Sequence, residues 1–76
     1  MRDEMDFFLD TWYADRSPLT VYFTIHNKQG DATITGYDDD TGRHSGIPSR
    51  PLLMGIESLY ADASDYAYYN WETDND

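Results

Sequence analysis

The chain has 76 residues, of which 15 are acidic and five are Lys or Arg, so its formal net charge is −10. This length accommodates one domain, residues 1–76, and so negative a charge argues against direct binding to nucleic acid or to an anionic membrane. Cysteine is absent, which excludes disulfides and thiolate metal sites, and no apolar run approaches the roughly 20 residues that span a bilayer.

The first predicted element is a helix over about residues 3–14. An apolar stripe recurs at i, i+3, i+4 and i+7, and consists of Met5, Phe8, Leu9 and Trp12. A second stripe, at i, i+3, i+7 and i+10, consists of Asp3, Asp6, Asp10 and Tyr13. The helix should end before Pro18, since the residue preceding a proline avoids helical geometry. This pattern predicts acids on one side of the helix and core residues on another.

A β-hairpin is predicted next, with strands at about residues 19–27 and 32–37. The first strand alternates strictly, and its apolar face consists of Leu19, Val21, Phe23 and Ile25. A two-residue turn that pairs Lys28 with Asp31 would place Ile25 opposite Ile34. We expect this apolar face to be buried. A one-residue slip would mix the two faces, so the pattern also determines the register of the hairpin.

Residues 38–50 contain turn formers without periodicity and are predicted to be a loop. Apolar residues at spacings of three and four return afterwards and predict a helix over about residues 51–71, with Ser49 as its N-cap. Two alternatives stay open. Ser64 and its acidic neighbours could divide the segment into two helices, and the aromatic residues 66–71 also favour a strand.

The predicted fold class is therefore α+β: an N-terminal helix, an antiparallel β-hairpin and a C-terminal helix, with the helices packed on one face of the sheet. Two strands alone are marginally stable. A third strand within residues 46–54, or a homodimer that extends the sheet, would remove this difficulty.

Motifs for catalysis or metal binding match weakly. Asp40-Thr41-Gly42 resembles the aspartic-protease triplet, but that chemistry needs two carboxylates in an apolar pocket, and we expect the adjacent acids 38–40 to be solvated. These acids do not fit an EF-hand, although weak cation binding is an alternative. His26 and His44 lack the spacing of a metal site. We expect no enzyme activity and no cofactor.

The negative charge is concentrated at the two ends of the chain. Residues 1–15 have a net charge of −4, residues 16–56 are neutral, and residues 57–76 have a net charge of −6. On the predicted C-terminal helix, a second acidic stripe consists of Asp62, Asp65, Tyr69 and Glu72. Tyr68 and Tyr69 cannot both face the core, because adjacent helical residues point about 100° apart. We expect Arg43 and Arg50 to pair with acids of the two helices.

These acidic and aromatic stripes, over residues 1–15 and 57–76, resemble those of small acidic DNA-mimic inhibitors from phages and mobile elements, such as anti-restriction, anti-CRISPR and uracil-glycosylase-inhibitor proteins. The resemblance is one of size, charge and acidic-aromatic pairing, without a shared motif. It implies a cytoplasmic inhibitor that binds the basic channel of a nucleic-acid-binding protein or nuclease. The predicted partner-binding residues are Asp3, Asp6, Asp10, Asp62, Asp65, Tyr68, Tyr69, Glu72 and Asp74.

Two other functions fit the same composition. An immunity-type or antitoxin-type protein would neutralise one basic enzyme through the same charge logic. A halophilic domain would have a solvated acidic surface without a partner. Its acids should be spread over the whole surface, whereas the middle of this chain is neutral.

Overall fold

The computed structural model describes residues 4–71. Four strands form one antiparallel sheet in the order β1-β2-β3-β4. The strands are β1 (Met5–Trp12), β2 (Pro18–Ile25), β3 (Ala32–Asp39) and β4 (Gly42–Ser45), and they precede a single helix, α1 (Ile56–Asn70). The helix packs on one face of the sheet, against β2 and β3. The other face, which we call the open face, has no layer over it within residues 4–71.

The predicted N-terminal helix is wrong, because residues 5–12 form strand β1. This segment also alternates with period two, and Phe7, Phe8, Thr11 and Trp12 are residue types that favour strands. β1 pairs with β2 along its whole length and so relieves the marginal stability of a two-stranded hairpin. The predicted apolar stripe is consequently divided between faces: Met5 is buried, whereas Phe8 is 63% exposed.

The predicted buried face of β2 is confirmed, since Leu19, Val21, Phe23 and Ile25 all lie in the core with Ile34. The predicted register with β3 is wrong by two residues: Ile25 lies opposite Ala32, and Phe23 lies opposite Ile34. A longer turn causes this offset, since the His26 amide donates to the Asp31 carbonyl and encloses residues 27–30. Over residues 23–25 and 32–34, this two-residue offset keeps each side chain on its predicted face, so the predicted core is preserved there.

A register shift at Tyr22/Phe23 then changes which β3 side chains face the helix. Beyond it Tyr37 lies opposite Val21, and Asp39 lies opposite Leu19 on the covered side of the sheet. Gly36 at the shift has no room for a side chain, because a Cβ there would approach the His44 carbonyl oxygen to 2.7 Å. The predicted loop over residues 38–50 therefore contains the end of β3 and all of β4.

The C-terminal helix is present, but it begins at Ile56 rather than near residue 51. Residues 51–53 instead pair with the end of β1, and the chain turns at Gly55, whose φ of 81° favours glycine. One stripe of the helix is buried and consists of Leu59, Ala63 and Ala67. The tyrosines beside it pack on sheet aromatics: Tyr66 stacks on Phe7 at 4.6 Å, and Tyr60 contacts Phe23 edge-on at 5.8 Å.

Thr11 is the one buried polar residue whose hydroxyl lacks a hydrogen-bond partner within residues 4–71. An unsatisfied buried hydroxyl costs about 1–3 kcal/mol. We expect Thr11→Val to raise the free energy of unfolding by about 1 kcal/mol in urea denaturation. Thr20→Val is the matched control, because the Thr20 hydroxyl donates to Asp10 at 2.8 Å, and it should not be stabilising. A loss of stability in Thr11→Val would contradict this interpretation.

Candidate partner-binding surfaces

The structure places the predicted site residues on two opposite sides of the molecule. Asp6 and Asp10 lie on the open face, whereas the helix positions Asp62, Asp65, Tyr68 and Tyr69 lie on α1, which packs on the other face. Asp3, Glu72 and Asp74 lie outside the described residues. The acidic stripes of the two chain ends therefore do not form one continuous surface within residues 4–71.

The solvent-facing side of α1, which we call the helix surface, has the spacing expected from the sequence. Asp62, Asp65 and Tyr69 follow one another at i, i+3 and i+7, and Asp65 and Tyr69 are exposed whereas Asp62 is half-buried. Tyr68 and Tyr69 are 74% and 75% exposed, and their rings meet edge-to-face at 5.0 Å. The helix itself has no basic residue, but Lys28 of the β2–β3 turn lines the same cleft as Asp65 and Tyr68.

The open face is a second exposed surface, and aromatic residues form its centre. Phe8 lies 6.3 Å from Tyr22 on the neighbouring strand, and the Arg43 guanidinium stacks 4.1 Å above the Tyr22 ring. Trp12 is also exposed. The intramolecular Arg43–Tyr22 contact shows that this face accommodates a guanidinium over a ring, an arrangement stabilised by the ring quadrupole. Arg43 is thus not paired with a helix acid as predicted.

Polar pairs surround this aromatic centre along the strands. His26, which directly follows β2, connects the residue before β1 to β3, since its Nδ1 lies 3.0 Å from the Glu4 carboxylate and its Nε2 lies 2.8 Å from the Thr33 hydroxyl. The Thr20 hydroxyl donates to Asp10. Asp10 remains exposed although it accepts this hydrogen bond, so its carboxylate is accessible on the open face.

The helical prediction for residues 3–14 misplaced Tyr13. This ring is buried, with 1% exposure, and its hydroxyl donates to Asp39 from the covered side of the sheet. The Arg50 guanidinium stacks 3.8 Å from the Tyr13 ring and donates to Asp15 at 2.8 Å. Period-two alternation from Met5 onward puts residue 13 on the core face, and this is the signal that would have identified it.

Asp39 is not solvated as predicted, because its side chain is only 3% exposed. Thr41 donates to it twice, from its hydroxyl at 2.6 Å and its amide at 2.9 Å, and these bonds with that of Tyr13 hold the pKa of Asp39 well below its usual range. Burial, and then the neighbouring Asp39 carboxylate, raise the pKa of Tyr13 to about 12. This cluster joins β1 to the β3–β4 turn.

The described residues contain no group of three or more His, Cys, Asp or Glu side chains that could bind a metal ion. Among residues 4–71, no helix has both the length and the apolar character needed to cross a membrane. Comparison with protein-family models, curated proteins and solved structures finds no match to this chain.

Proposed function

We propose that this protein is a small acidic inhibitor that binds a basic nucleic-acid-binding protein or nuclease complex as a DNA mimic, of the anti-defence type made by phages. The observation that supports this most is the helix surface, where two highly exposed tyrosines lie one turn from Asp65, and Asp62 lies one turn before Asp65. Large exposed rings beside charges are typical of partner-contact anchors.

The spacing of the acids on the helix surface is compatible with the contacts that basic side chains normally make to phosphates. Carboxylates at i and i+3 are about 4.5 Å apart along a helix axis, comparable with the rise of about 3.4 Å along the duplex axis for each phosphate of one DNA strand. Lysine and arginine side chains of a basic channel would pair with Asp62 and Asp65. Tyr68 and Tyr69 would provide the flat surface on which such channels stack bases.

An immunity-type inhibitor is the second candidate, and the division of the acids between two faces favours it. A mimic of a nucleic-acid strand needs one continuous row of charges, whereas Asp6 and Asp10 lie on the sheet face opposite the helix. An inhibitor that binds beside an active site has no such requirement. Competition with nucleic acid distinguishes the two, because only a mimic must exclude nucleic acid from its target.

The first experiment neutralises the helix surface. A partner captured from the native host and identified by mass spectrometry should bind Asp62→Asn/Asp65→Asn about three- to tenfold more slowly at low salt, with a smaller difference at high salt. Tyr69→Ala should act mainly on dissociation. Asp38→Asn/Asp40→Asn is the matched control, because it removes the same charge near the β3–β4 turn.

The second measurement is competition. The partner's own DNA or RNA should displace the wild-type protein if the helix surface is a mimic. Binding that persists at saturating nucleic acid would support the immunity-type alternative. Full-rate association of Asp62→Asn/Asp65→Asn at low salt would show that these acids are only solvated.

A further inference from the structure

Strand β1 is an edge strand whose outer side is only partly covered. At its C-terminal end, the Leu53 amide donates to the Trp12 carbonyl at 3.0 Å, and the Ala14 amide donates to the Pro51 carbonyl at 2.8 Å. Tyr13 and Leu52 form the corresponding antiparallel bridge. Residues 51–53 therefore cover only the C-terminal end of β1 through an isolated bridge, and the chain then turns away at Gly55 into the helix.

The rest of this edge has backbone groups available for pairing. The Trp12 carbonyl points away from β2, and its partner on β2 is Pro18, which has no amide hydrogen. Because backbone groups alternate in direction along an antiparallel strand, those of Asp6, Phe8 and Asp10 point to the same outer side. Within residues 4–71, no other strand is paired with β1 there.

Different side chains lie above and below this edge. On the open face, Asp6, Phe8 and Asp10 are exposed. On the helix face, Phe7 and Leu9 are half-buried, and both pack against the core. A strand added here would place alternate side chains against acids on one side and against apolar groups on the other.

A second copy of the chain is a poor occupant of the edge. Two β1 strands paired antiparallel about Phe8 would place Asp6 of each copy opposite Asp10 of the other. Like charges directly opposite each other destabilise a strand pair. The same acids would attract lysine or arginine, so charge complementarity selects a basic strand.

We propose that the free edge of β1 binds an extended basic segment of a partner protein by β-strand addition. Alternate Lys or Arg side chains of that segment would lie opposite Asp6 and Asp10, and the intervening apolar side chains would cover Phe7 and Leu9. Main-chain bonds to Asp6, Phe8 and Asp10 would supply affinity, and the acids would supply selectivity. This site is separate from the helix surface and does not depend on DNA mimicry.

The probe is a capped octapeptide of alternating Arg and Val. Amide hydrogen exchange followed by NMR should show Asp6, Phe8 and Asp10 slowed at least tenfold by the peptide, with the α1 amides unchanged. The same Arg-Val peptide, N-methylated at the amides that would face β1, keeps its charge and loses those hydrogen-bond donors. It should therefore bind at least tenfold more weakly. An alternating Glu-Val peptide should not bind.

Two variants test the edge within the protein. Phe8→Pro removes an amide that β1 does not use for pairing with β2. Edge strands tolerate proline at such a position. This variant should weaken binding of the Arg-Val peptide at least tenfold. Asp6→Lys/Asp10→Lys tests the site without proline, and should switch the preference to the Glu-Val peptide. Asp62→Asn/Asp65→Asn should bind the peptide as the wild type does.

The opposing interpretation is that Asp6 and Asp10 only prevent edge-to-edge association. It predicts no Arg-Val binding at 1 mM, or equal binding of the N-methylated peptide, or unchanged exchange at Asp6, Phe8 and Asp10 at saturation. Any of these results overturns the proposal. None of them bears on the helix surface, which is tested with its own variants.

Discussion

Replacing Gly30 with alanine is expected to lower the free energy of unfolding by about 2–5 kcal/mol. Gly30 closes the β2–β3 turn with φ of 93°, where an L side chain is strained. A Cβ there would also lie 2.5 Å from the Ser64 Cα, which is backbone of α1 and cannot rotate away. Relief of this clash requires the turn and the helix to separate. That separation would break the contacts of the Ser64 hydroxyl with the Gln29 and Gly30 carbonyls, which are 3.4 Å long.

Gly46→Ala is the control for Gly30→Ala. Gly46 has a similar φ of 84°, but no atom lies within 4 Å of its added Cβ. Urea denaturation of both variants separates the backbone strain, which they share, from the clash, which only Gly30→Ala has. Equal losses of stability would show that the turn does not contact the helix as closely as the structure has it.

Tyr13→Phe is expected to lower the free energy of unfolding by about 1.5–3 kcal/mol at pH 7, because the ring is buried and its hydroxyl donates to a carboxylate. Phenylalanine keeps the ring beneath Arg50 and removes only the donor. Asp39 then retains its two bonds from Thr41 and its contact with His44 Nε2 at 3.4 Å. Thermal or urea unfolding measures the loss. Tyr22→Phe, on the open face, is the control and should cost less.

The same tyrosine predicts alkaline sensitivity. Folding raises the pKa of Tyr13 from 10.0 to about 12, so the stability that the protonated hydroxyl provides is fully present below pH 10. It is lost as the pH rises from 10 to about 12, because the unfolded chain releases its proton first. The difference in stability between the wild type and Tyr13→Phe should therefore shrink over this range. A difference that is constant from pH 8 to pH 12 would contradict the buried Tyr13–Asp39 bond.

If both proposed surfaces bind partners, one would act from the helix and the other from the β1 edge of the sheet. The helix surface would contact a basic channel through Asp62, Asp65 and two rings, and the β1 edge would bind an extended segment. One partner with both features would be bound through two sites, whose combined affinity exceeds that of either site alone. The helix variants and the edge variants can be combined to measure this coupling, since they share no residue.

Several features of the protein follow from local sequence alone. Strict alternation over residues 19–25 determines which side of β2 is buried, because side chains of a strand alternate between its faces. Apolar spacing of three and four predicts α1 and leaves Asp65 and Tyr69 on its solvent side. The absence of a base beyond Arg50 makes the helix itself acidic, whereas the fold places Lys28 in the same cleft as Asp65 and Tyr68.

Other features depend on pairing between distant segments. Residues 5–12 satisfy both a helical and an alternating pattern, and β1 forms because β2 is available along its whole length. The register shift at Tyr22/Phe23 then turns Asp39 toward Tyr13, which converts an acid expected in solvent into a buried acceptor. The division of the acids between two faces follows from β1 as well. Local propensity cannot decide such cases, because the energies of competing local patterns are smaller than those of the sheet contacts that select between them.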